Sequence, residues 1–398
     1  MKQQGMTLVE LMVAMVIGLG ITLAISSVLI ASENHKRTTT STNDAQQTGS
    51  YAYYALDKAL RGAGSAIAES AFPTDVGVLG CHLNAGTIFP RTTPFPAPFA
   101  GFLAGVTNTL NVAPVLIGKN QSLGGSDVIM VMSGSGSAGG VSRQITGGGS
   151  AISATLDNTV GFANSDLVLV SQSGVPDCLM EEVAAIAPPT LNLGGTYYTA
   201  TATSASMATL AVSTSSYVTP IGNATANNVQ FMLFGVDNNR TLYNYDLLQN
   251  LKLVGGAGAD SAQAIADGVV QVNALYGIDT NGDGIQDAWA APGGPTDPGW
   301  AINTVMTSPA LMRQIVSVRV AVVVRGQYYD LNGGTAALPI PVSPPTLTIF
   351  NGLKNGPNGT GVSLAQVIPL SALDQQYRYR VFEFTVPLRN MLLLAGGP

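Results

Sequence analysis

An oxygen-rich segment late in the chain has the spacing of a calcium-binding loop. Its candidate ligands stand at alternate positions: Asp279, Asn281, Asp283, the carbonyl of Ile285, and Asp287. Alternate oxygens can converge on one hard cation, and Gly284 at the sixth position permits a sharp turn. The twelfth position, which is a bidentate glutamate in an EF-hand, is Ala290. The segment is therefore not a full EF-hand, and a missing ligand must come from Asp287 or from elsewhere.

Two interpretations of this loop remain open. Asn, Asp and Gly also form turns between strands without any metal. Three carboxylates within the nine residues 279–287 would repel one another in a bare turn, which favours a cation. The sequence thus predicts Ca²⁺ as a cofactor, with a metal-free turn as the alternative.

The two cysteines, Cys81 and Cys178, form a disulfide or remain buried free thiols. Neither has a second cysteine within a few residues, so the spacing of zinc and thioredoxin-like sites is absent. An oxidising compartment favours one bridge closing a long loop, and the sequence predicts that bridge. By the loop-entropy argument it would stabilise the fold by about 4 kcal/mol.

Catalysis has little support in the sequence, and we expect no catalytic residues. The chain has two histidines, His35 just beyond an apolar run and His82 beside Cys81. Adjacency in sequence does not make Cys81 and His82 a nucleophile and base, particularly if the cysteine is oxidised. His82 is expected to be a loop residue, and the protein is not expected to be an enzyme.

The composition excludes nucleic acid as the main partner. Only 17 Lys and Arg stand against 23 Asp and Glu, so the net charge of -6 provides no basic stripe for phosphates. Charged residues make up 10% of a chain with 46 Gly, which suits an extracytoplasmic protein of strands and loops. A length of 398 residues allows one large or two ordinary domains.

The N-terminal segment carries a long apolar run with a carboxylate directly before it. Leu11 to Ala31 has no charged residue and is long enough to span a bilayer as a helix. A secretory signal peptide would have a shorter apolar region, and a plain anchor would not need Glu10. A carboxylate at this place is costly near hydrocarbon and usually marks a partner.

These residues resemble the class III signal of type IV prepilins, with a short leader, a Gly at the cut and a Thr-Leu-Val-Glu-Leu-Met stretch. The resemblance implies that a prepilin peptidase cleaves between Gly5 and Met6 and that the new terminus is N-methylated. It also implies that Glu10 pairs with the N-terminal amine of a neighbouring subunit. The family usually begins its mature chain with Phe, where this sequence has Met6.

A spine helix is predicted over 6–64, with residues 1–5 as the cleaved leader and a transmembrane segment at about 8–31. From about Asp44, Tyr51, Ala55, Ala59 and Leu60 recur at three- and four-residue spacing. The Gly-Ala-Gly at 62–64 is expected to end the helix. Lys2 favours an inside N-terminus, whereas the cations at 36 and 37 argue the reverse by the positive-inside rule.

The rest of the chain, 65–398, is predicted to be a β-rich extracytoplasmic head. Strands are expected at 126–131, 165–170, 229–236, 241–246, 269–278, 315–325 and 377–387. One long helix followed by strands indicates an α+β fold in which the helix packs on an antiparallel sheet. Two Pro- and Gly-rich stretches, 72–102 and 331–360, are expected to be a loop without regular structure and an exposed insertion.

The late part of the chain resembles the PilW-like minor pilins. The residues that carry this are Tyr276 to Gly284, Val316 to Arg325 and Arg380 to Asn390. The resemblance implies a structural subunit that helps initiate or cap a type IV pilus with other minor pilins, major pilins and a tip adhesin. Such a chain resides in the inner membrane with its head in the periplasm, then in the surface filament, and supports twitching motility.

Two other functions remain open at the level of sequence. A minor pseudopilin of a type II secretion system shares the same N-terminus, so only the head separates the two. A membrane-tethered adhesive or binding domain is the third, and it would not need Glu10.

Overall fold

The computed structural model describes residues 7–68, 78–86, 88–90, 94–103, 110–136, 141–248, 262–293, 297–329 and 340–395. The processing residues predicted at positions 5 and 6 lie outside this part of the chain. The chain forms two compact units. The first consists of 1–47, 325–347 and 369–380, and the second of 48–324, 348–368 and 381–398.

The first element, α1, is one continuous helix over Leu8–Gly62. Its 55 residues span about 80 Å at 1.5 Å per residue. The polar stretch after Ala31 does not interrupt it, because it contains no proline and carries a stabilising pair four residues apart, Arg37 and Glu33 at 3.4 Å. After the end of α1, Gly64 adopts a φ of +75°, a conformation that glycine tolerates.

The short helices are α2 (Met207–Leu210), α3 (Ile302–Met306), α4 (Pro309–Gln314) and α5 (Arg389–Ala395). The strands are β1 (His82–Asn84), β2 (Val115–Gly118), β3 (Val128–Ser133), β4 (Arg143–Gln144), β5 (Ser153–Thr155), β6 (Asp166–Gln172), β7 (Asp177–Ala187), β8 (Thr190–Leu193), β9 (Ser216–Asn223), β10 (Gln230–Val236), β11 (Thr241–Asp246), β12 (Gln263–Asp267), β13 (Val269–Ile278), β14 (Ala288–Ala290), β15 (Ile315–Arg325), β16 (Thr346–Ile349), β17 (Gln366–Pro369) and β18 (Tyr379–Pro387).

The largest sheet has the strand order β4-β9-β6-β7-β8-β5, and β1 pairs with β7 in parallel. Its central pairs, β6 with β7 and β6 with β9, are antiparallel. The buried faces enclose a core cluster that includes Val168, Leu179, Leu191, Met207 and Val218. This core belongs to the second unit, and burial of its aliphatic side chains supplies the main driving force for folding there.

The remaining described strands form three smaller sheets, β12-β11-β10-β3-β2, β14-β13-β15-β18 and β16-β17. The predicted hairpin is present: β10 and β11 pair antiparallel, with Leu233 opposite Tyr245. Asp237 closes its turn by accepting hydrogen bonds from the amides of Asn239 and Thr241 at 3.0 and 2.8 Å. The predicted α+β class, a long N-terminal helix with antiparallel sheets, is confirmed.

The C-terminal half of α1 packs through a face that differs from the predicted one. Tyr51 is 54% exposed, whereas Ala52 and Leu56 are fully buried. The buried positions 45, 52, 56 and 60 follow helical spacing, and position 49 on the same stripe is Gly49, against which the ring of Phe382 packs. Of the predicted face, Leu60 is buried as expected, Ala55 and Ala59 are partly buried, and Tyr51 is wrong, because glycine and alanine rather than an aromatic residue allow close packing at this level.

Two of the stretches predicted to be irregular contain ordered structure. In the stretch 331–360, of which 340–360 is described, β16 forms and Phe350 is fully buried. Most of the other described residues of this stretch are exposed, as the prediction has it. In the stretch 72–102, β1 pairs with β7 through Leu83 and Cys178. His82 therefore lies on a strand and not in a loop, because the chain there is held by a distant partner strand.

Candidate functional site

The first turn of α1 is closed by Thr7 and Glu10. The Glu10 carboxylate accepts hydrogen bonds from the Thr7 amide and hydroxyl, both at 3.1 Å, and the Glu10 amide donates to the Thr7 hydroxyl oxygen at 3.3 Å. This is a reciprocal capping box, which satisfies donors that a helix N-terminus leaves unpaired. The Thr-x-x-Glu spacing was readable in the sequence, but its capping role was not predicted.

Beyond Glu10, α1 exposes an apolar cylinder. Its large apolar side chains between Leu11 and Ile30 are 47 to 71% exposed. By length and composition this helix can cross a membrane. Within the described chain nothing covers this surface, and exposed apolar area of this extent requires a bilayer or neighbouring chains. The apolar helix therefore indicates membrane anchoring.

The predicted disulfide is present. Cys81 and Cys178 are bonded, with their Cα atoms 5.7 Å apart and a sequence separation of 97. Cys81 directly precedes β1 and Cys178 lies on β7, so the bond joins two chain segments that are also paired as parallel strands. The alternative of free thiols is excluded.

Next to the disulfide, the Nδ1 atom of His82 lies 3.4 Å from an oxygen of Asp177. The other oxygen of Asp177 accepts hydrogen bonds from the amide and hydroxyl of Ser204 at 2.5 and 2.6 Å. Since both sulfurs are oxidised, neither can act as a nucleophile. Asp177 thus holds Ser204 in the loop that follows β8 and also contacts His82 on β1.

The proposed calcium residues lie on the loop between β13 and β14. The buried Asp279 accepts hydrogen bonds from the amides of Asn281, Gly282 and Gly284 at 3.1, 2.6 and 2.7 Å. Gly282 and Gly284 both have positive φ angles, +81° and +80°. One carboxylate thus holds three amides of the loop, and Gly284, the glycine that the spacing predicts, has the positive φ of a sharp turn.

The other candidate ligands make local contacts on the same loop. The Asn281 side chain accepts from the Asp283 amide at 3.0 Å, and Asp283 accepts from the Ile285 amide at 2.8 Å. Asp287 accepts from the amide and hydroxyl of Thr280 at 2.8 and 2.7 Å, and these hydrogen bonds lower the pKa of its carboxyl group. Among the described residues, no three His, Cys, Asp or Glu side chains are gathered as a metal site.

Comparisons with known proteins assign two segments of the chain. Residues 234–390 match the family of type IV pilus-assembly protein W, and residues 1–19 match the prokaryotic N-terminal methylation motif. Among curated proteins no sequence matches.

A type IV-like pilin from Thermus thermophilus is similar at 9% identity over 58% of this chain and 86% of its own, with a TM-score of 0.23. At that score the likeness carries no argument about the fold. The family matches cover the same residues from which the resemblance was drawn and point to a structural protein. They support a PilW-like type IV pilin with a prepilin signal, as the sequence predicts.

Proposed function

We propose that the chain is a minor pilin that helps initiate or cap a type IV pilus together with other minor pilins, major pilins and a tip adhesin. The observation that carries this proposal is the bare apolar cylinder of α1 with one carboxylate, Glu10, at its start. A filament offers that cylinder side-by-side contacts, which the described residues of this chain do not supply. The match of residues 234–390 to the pilus-assembly family supports the same assignment.

Processing and localisation follow from the same assignment. Prepilin peptidase would cut between Gly5 and Met6, and the methylated amine at Met6 would pair with Glu10 of a neighbouring subunit. In the unassembled subunit the Glu10 carboxylate lies at the edge of the hydrocarbon without a cationic partner, which is costly. A charge pair that forms only between subunits removes this cost and so favours assembly. Before assembly the chain would lie in the inner membrane with its head in the periplasm.

A deletion strain tests this function against the type II secretion alternative. Loss of surface pili and of twitching with normal secretion is the expected result. A secretion defect with normal pili would assign the chain to the secretion system instead. A strain with normal pili, normal twitching and normal secretion would leave the tethered adhesive domain as the function.

We also propose that the loop of residues 279–287 binds Ca²⁺. The spacing of its oxygen atoms and the positive φ of Gly284 support this proposal. Binding requires Asp287 to turn its second oxygen inward or to release Thr280, since its first oxygen is engaged. Asp283 is exposed, and its hydrogen bonds come only from Asn281 and Ile285 on the same loop, so its substitution is the cleanest test.

A further inference from the structure

The chain contains the dipeptide Asn-Gly five times, and this dipeptide can undergo a reaction within itself. The pairs begin at Asn281, Asn332, Asn351, Asn355 and Asn358. Glycine has no Cβ to hinder its backbone nitrogen, which can therefore attack the side-chain carbonyl carbon of the asparagine before it. The pair at 332 and the side chain of Asn358 lie outside the described residues. The other three pairs have the same chemistry and differ only in what holds them.

The pair Asn281-Gly282 is held at both reacting groups. The side chain of Asn281 donates to the Asp283 carboxylate at 3.2 Å and accepts from the Asp283 amide at 3.0 Å. The Gly282 amide donates to the carboxylate of Asp279 at 2.6 Å. The nitrogen and the carbonyl carbon can meet only after these hydrogen bonds break, so the native loop protects this pair.

The pair Asn355-Gly356 is held in the same way by other partners. The Asn355 side chain donates to Asp297 at 3.0 Å, and its oxygen accepts from the Val362 amide at 2.8 Å. The Gly356 amide donates to the carbonyl of Thr360 at 2.9 Å. This pair is therefore also protected while the chain is folded.

The pair Asn351-Gly352 is not held at either reacting group. Both residues are exposed. Among the described residues, neither the Asn351 side chain nor the Gly352 amide has a hydrogen bond. A Cβ built at Gly352 would meet nothing within 4 Å, so the space around this nitrogen is open. The two groups are free to approach each other in the folded chain.

This pair forms the tip of a turn whose ends are anchored. Phe350 is fully buried and donates its amide to Glu383 at 2.9 Å, and the carbonyl of Leu353 accepts from the Leu364 amide at 2.9 Å. One hydrogen bond closes the turn, from the Leu353 amide to the Phe350 carbonyl at 3.2 Å. Rotation of the peptide at the tip therefore has little to break and leaves the anchors in place.

We propose that Asn351 is a site of spontaneous deamidation in the folded protein. The Gly352 nitrogen bonds to the side-chain carbonyl carbon of Asn351, the bond from that carbon to the side-chain nitrogen breaks, and ammonia leaves with the proton from Gly352. Water then opens the five-membered imide at either carbonyl. The products are aspartate or its β-linked isomer at position 351, and water is the only other reactant.

The reaction adds one negative charge to the exposed tip of this turn in a chain whose net charge is -6. It needs no enzyme, so the converted fraction grows with the time since folding. The inference does not rest on filament assembly or on calcium binding. Its failure would leave both of those proposals as they are.

The test follows the purified full chain in a neutral detergent at mildly alkaline pH, with samples taken over days. Trypsin cuts after Lys354 and so places Asn351 and Asn355 on different peptides, and fragment masses locate each converted residue. We expect Asn351 to convert at least about tenfold faster than Asn281 and Asn355, because each of these two reacts only after local opening. In denaturant the three rates should become similar, since the sequence of the pair is the same.

Asn351→Gln is the matched variant, because it keeps an amide at this position but would have to close a larger ring. It should fold with an unchanged Tm, show no conversion at 351 and leave the rates at Asn281 and Asn355 unaltered. Equal rates at the three asparagines in the folded chain would overturn the proposal. So would conversion of Asn351 in denaturant alone, or conversion in Asn351→Gln at the wild-type rate.

Discussion

The carboxylate of Glu10 and the hydroxyl of Thr7 are hydrogen-bonded to each other at 3.1 Å, in a capping box that begins α1. Glu10 therefore has a partner within its own chain before any subunit interface exists. An amine from a neighbouring subunit must either replace Thr7 or use the free side of the carboxylate. Helix capping and assembly can thus be tested apart, because only capping depends on Thr7.

Thr7→Ala removes the side-chain cap but leaves the Glu10 carboxylate in place. It should cost the helix end about 0.5 to 2 kcal/mol, measurable as increased amide exchange over the first turn. Because the carboxylate is retained, the variant should still be incorporated into filaments, and Thr7→Ser should behave as wild type. A complete loss of incorporation in Thr7→Ala would show that Glu10 is needed as a cap.

Gly49→Ala should destabilise the second unit, because its new methyl group would overlap the ring of Phe382. The clash should outweigh the gain in helix propensity, with a net loss of about 1 to 3 kcal/mol in the free energy of unfolding. Gly62→Ala is the control, since a Cβ there meets Ser133 at an ordinary 3.7 Å. Adding Phe382→Ala to Gly49→Ala should reduce the penalty, and additive losses in the double variant would argue against a direct clash.

Glu181 should make the head less stable as pH rises. Burial on β7 raises its pKa from 4.5 to about 9, although the Thr199 amide donates to its oxygens at 3.3 and 3.4 Å. Between pH 4.5 and about 9 the folded chain keeps the Glu181 proton, whereas the unfolded chain loses it. The contribution of Glu181 to the free energy of unfolding is therefore intact below pH 4.5 and is lost as the pH rises towards 9. At pH 7 the loss is about 3 kcal/mol.

Glu181→Gln removes this titration and keeps an acceptor for the Thr199 amide. The unfolding free energy of the variant minus that of the wild type should grow by about 2 to 3 kcal/mol between pH 5 and pH 7 in denaturant titrations. Taking the difference cancels every other titrating group. A difference that does not change with pH would show that Glu181 is already ionised in the fold.

Calcium should raise the thermal stability of the purified chain if the loop of residues 279–287 binds it. Calcium at a hundred times its Kd stabilises by about 2.7 kcal/mol. Asp283→Ala should abolish this shift, whereas Asp157→Ala, in the turn after β5, should keep it. If calcium does not change the Tm of the wild type, the loop does not bind calcium and is a metal-free turn held by Asp279.

The sequence was most informative where one local pattern determines the structure. The run 269–278 became β13 at the predicted residues, and 315–325 likewise became β15. Both runs are rich in valine and are nearly continuously apolar. Such a run is typical of a strand whose sheet is covered on both faces. The apolar part of α1 was predictable for the same reason, because an uninterrupted apolar run is visible in the sequence itself.

Features that depend on distant partners could not be predicted. Phe350 is buried although it lies in a Pro-, Gly- and Asn-rich stretch, because its amide donates to Glu383 at 2.9 Å, thirty-three residues away. β1 forms inside an irregular stretch because β7 pairs with it. A cleft within the first unit is lined by both Arg37 and Arg378, and no local pattern in the sequence brings those two residues together.

Recovery of the subunit from sheared surface filaments tests the central claim most directly. Glu10→Ala is compared with the wild type and with Glu33→Ala, which removes an exposed carboxylate from the same helix. All three proteins should be present in the membrane fraction in equal amounts. The account predicts that wild type and Glu33→Ala appear in filaments and that Glu10→Ala does not. Glu10→Ala in filaments at the wild-type level would contradict it.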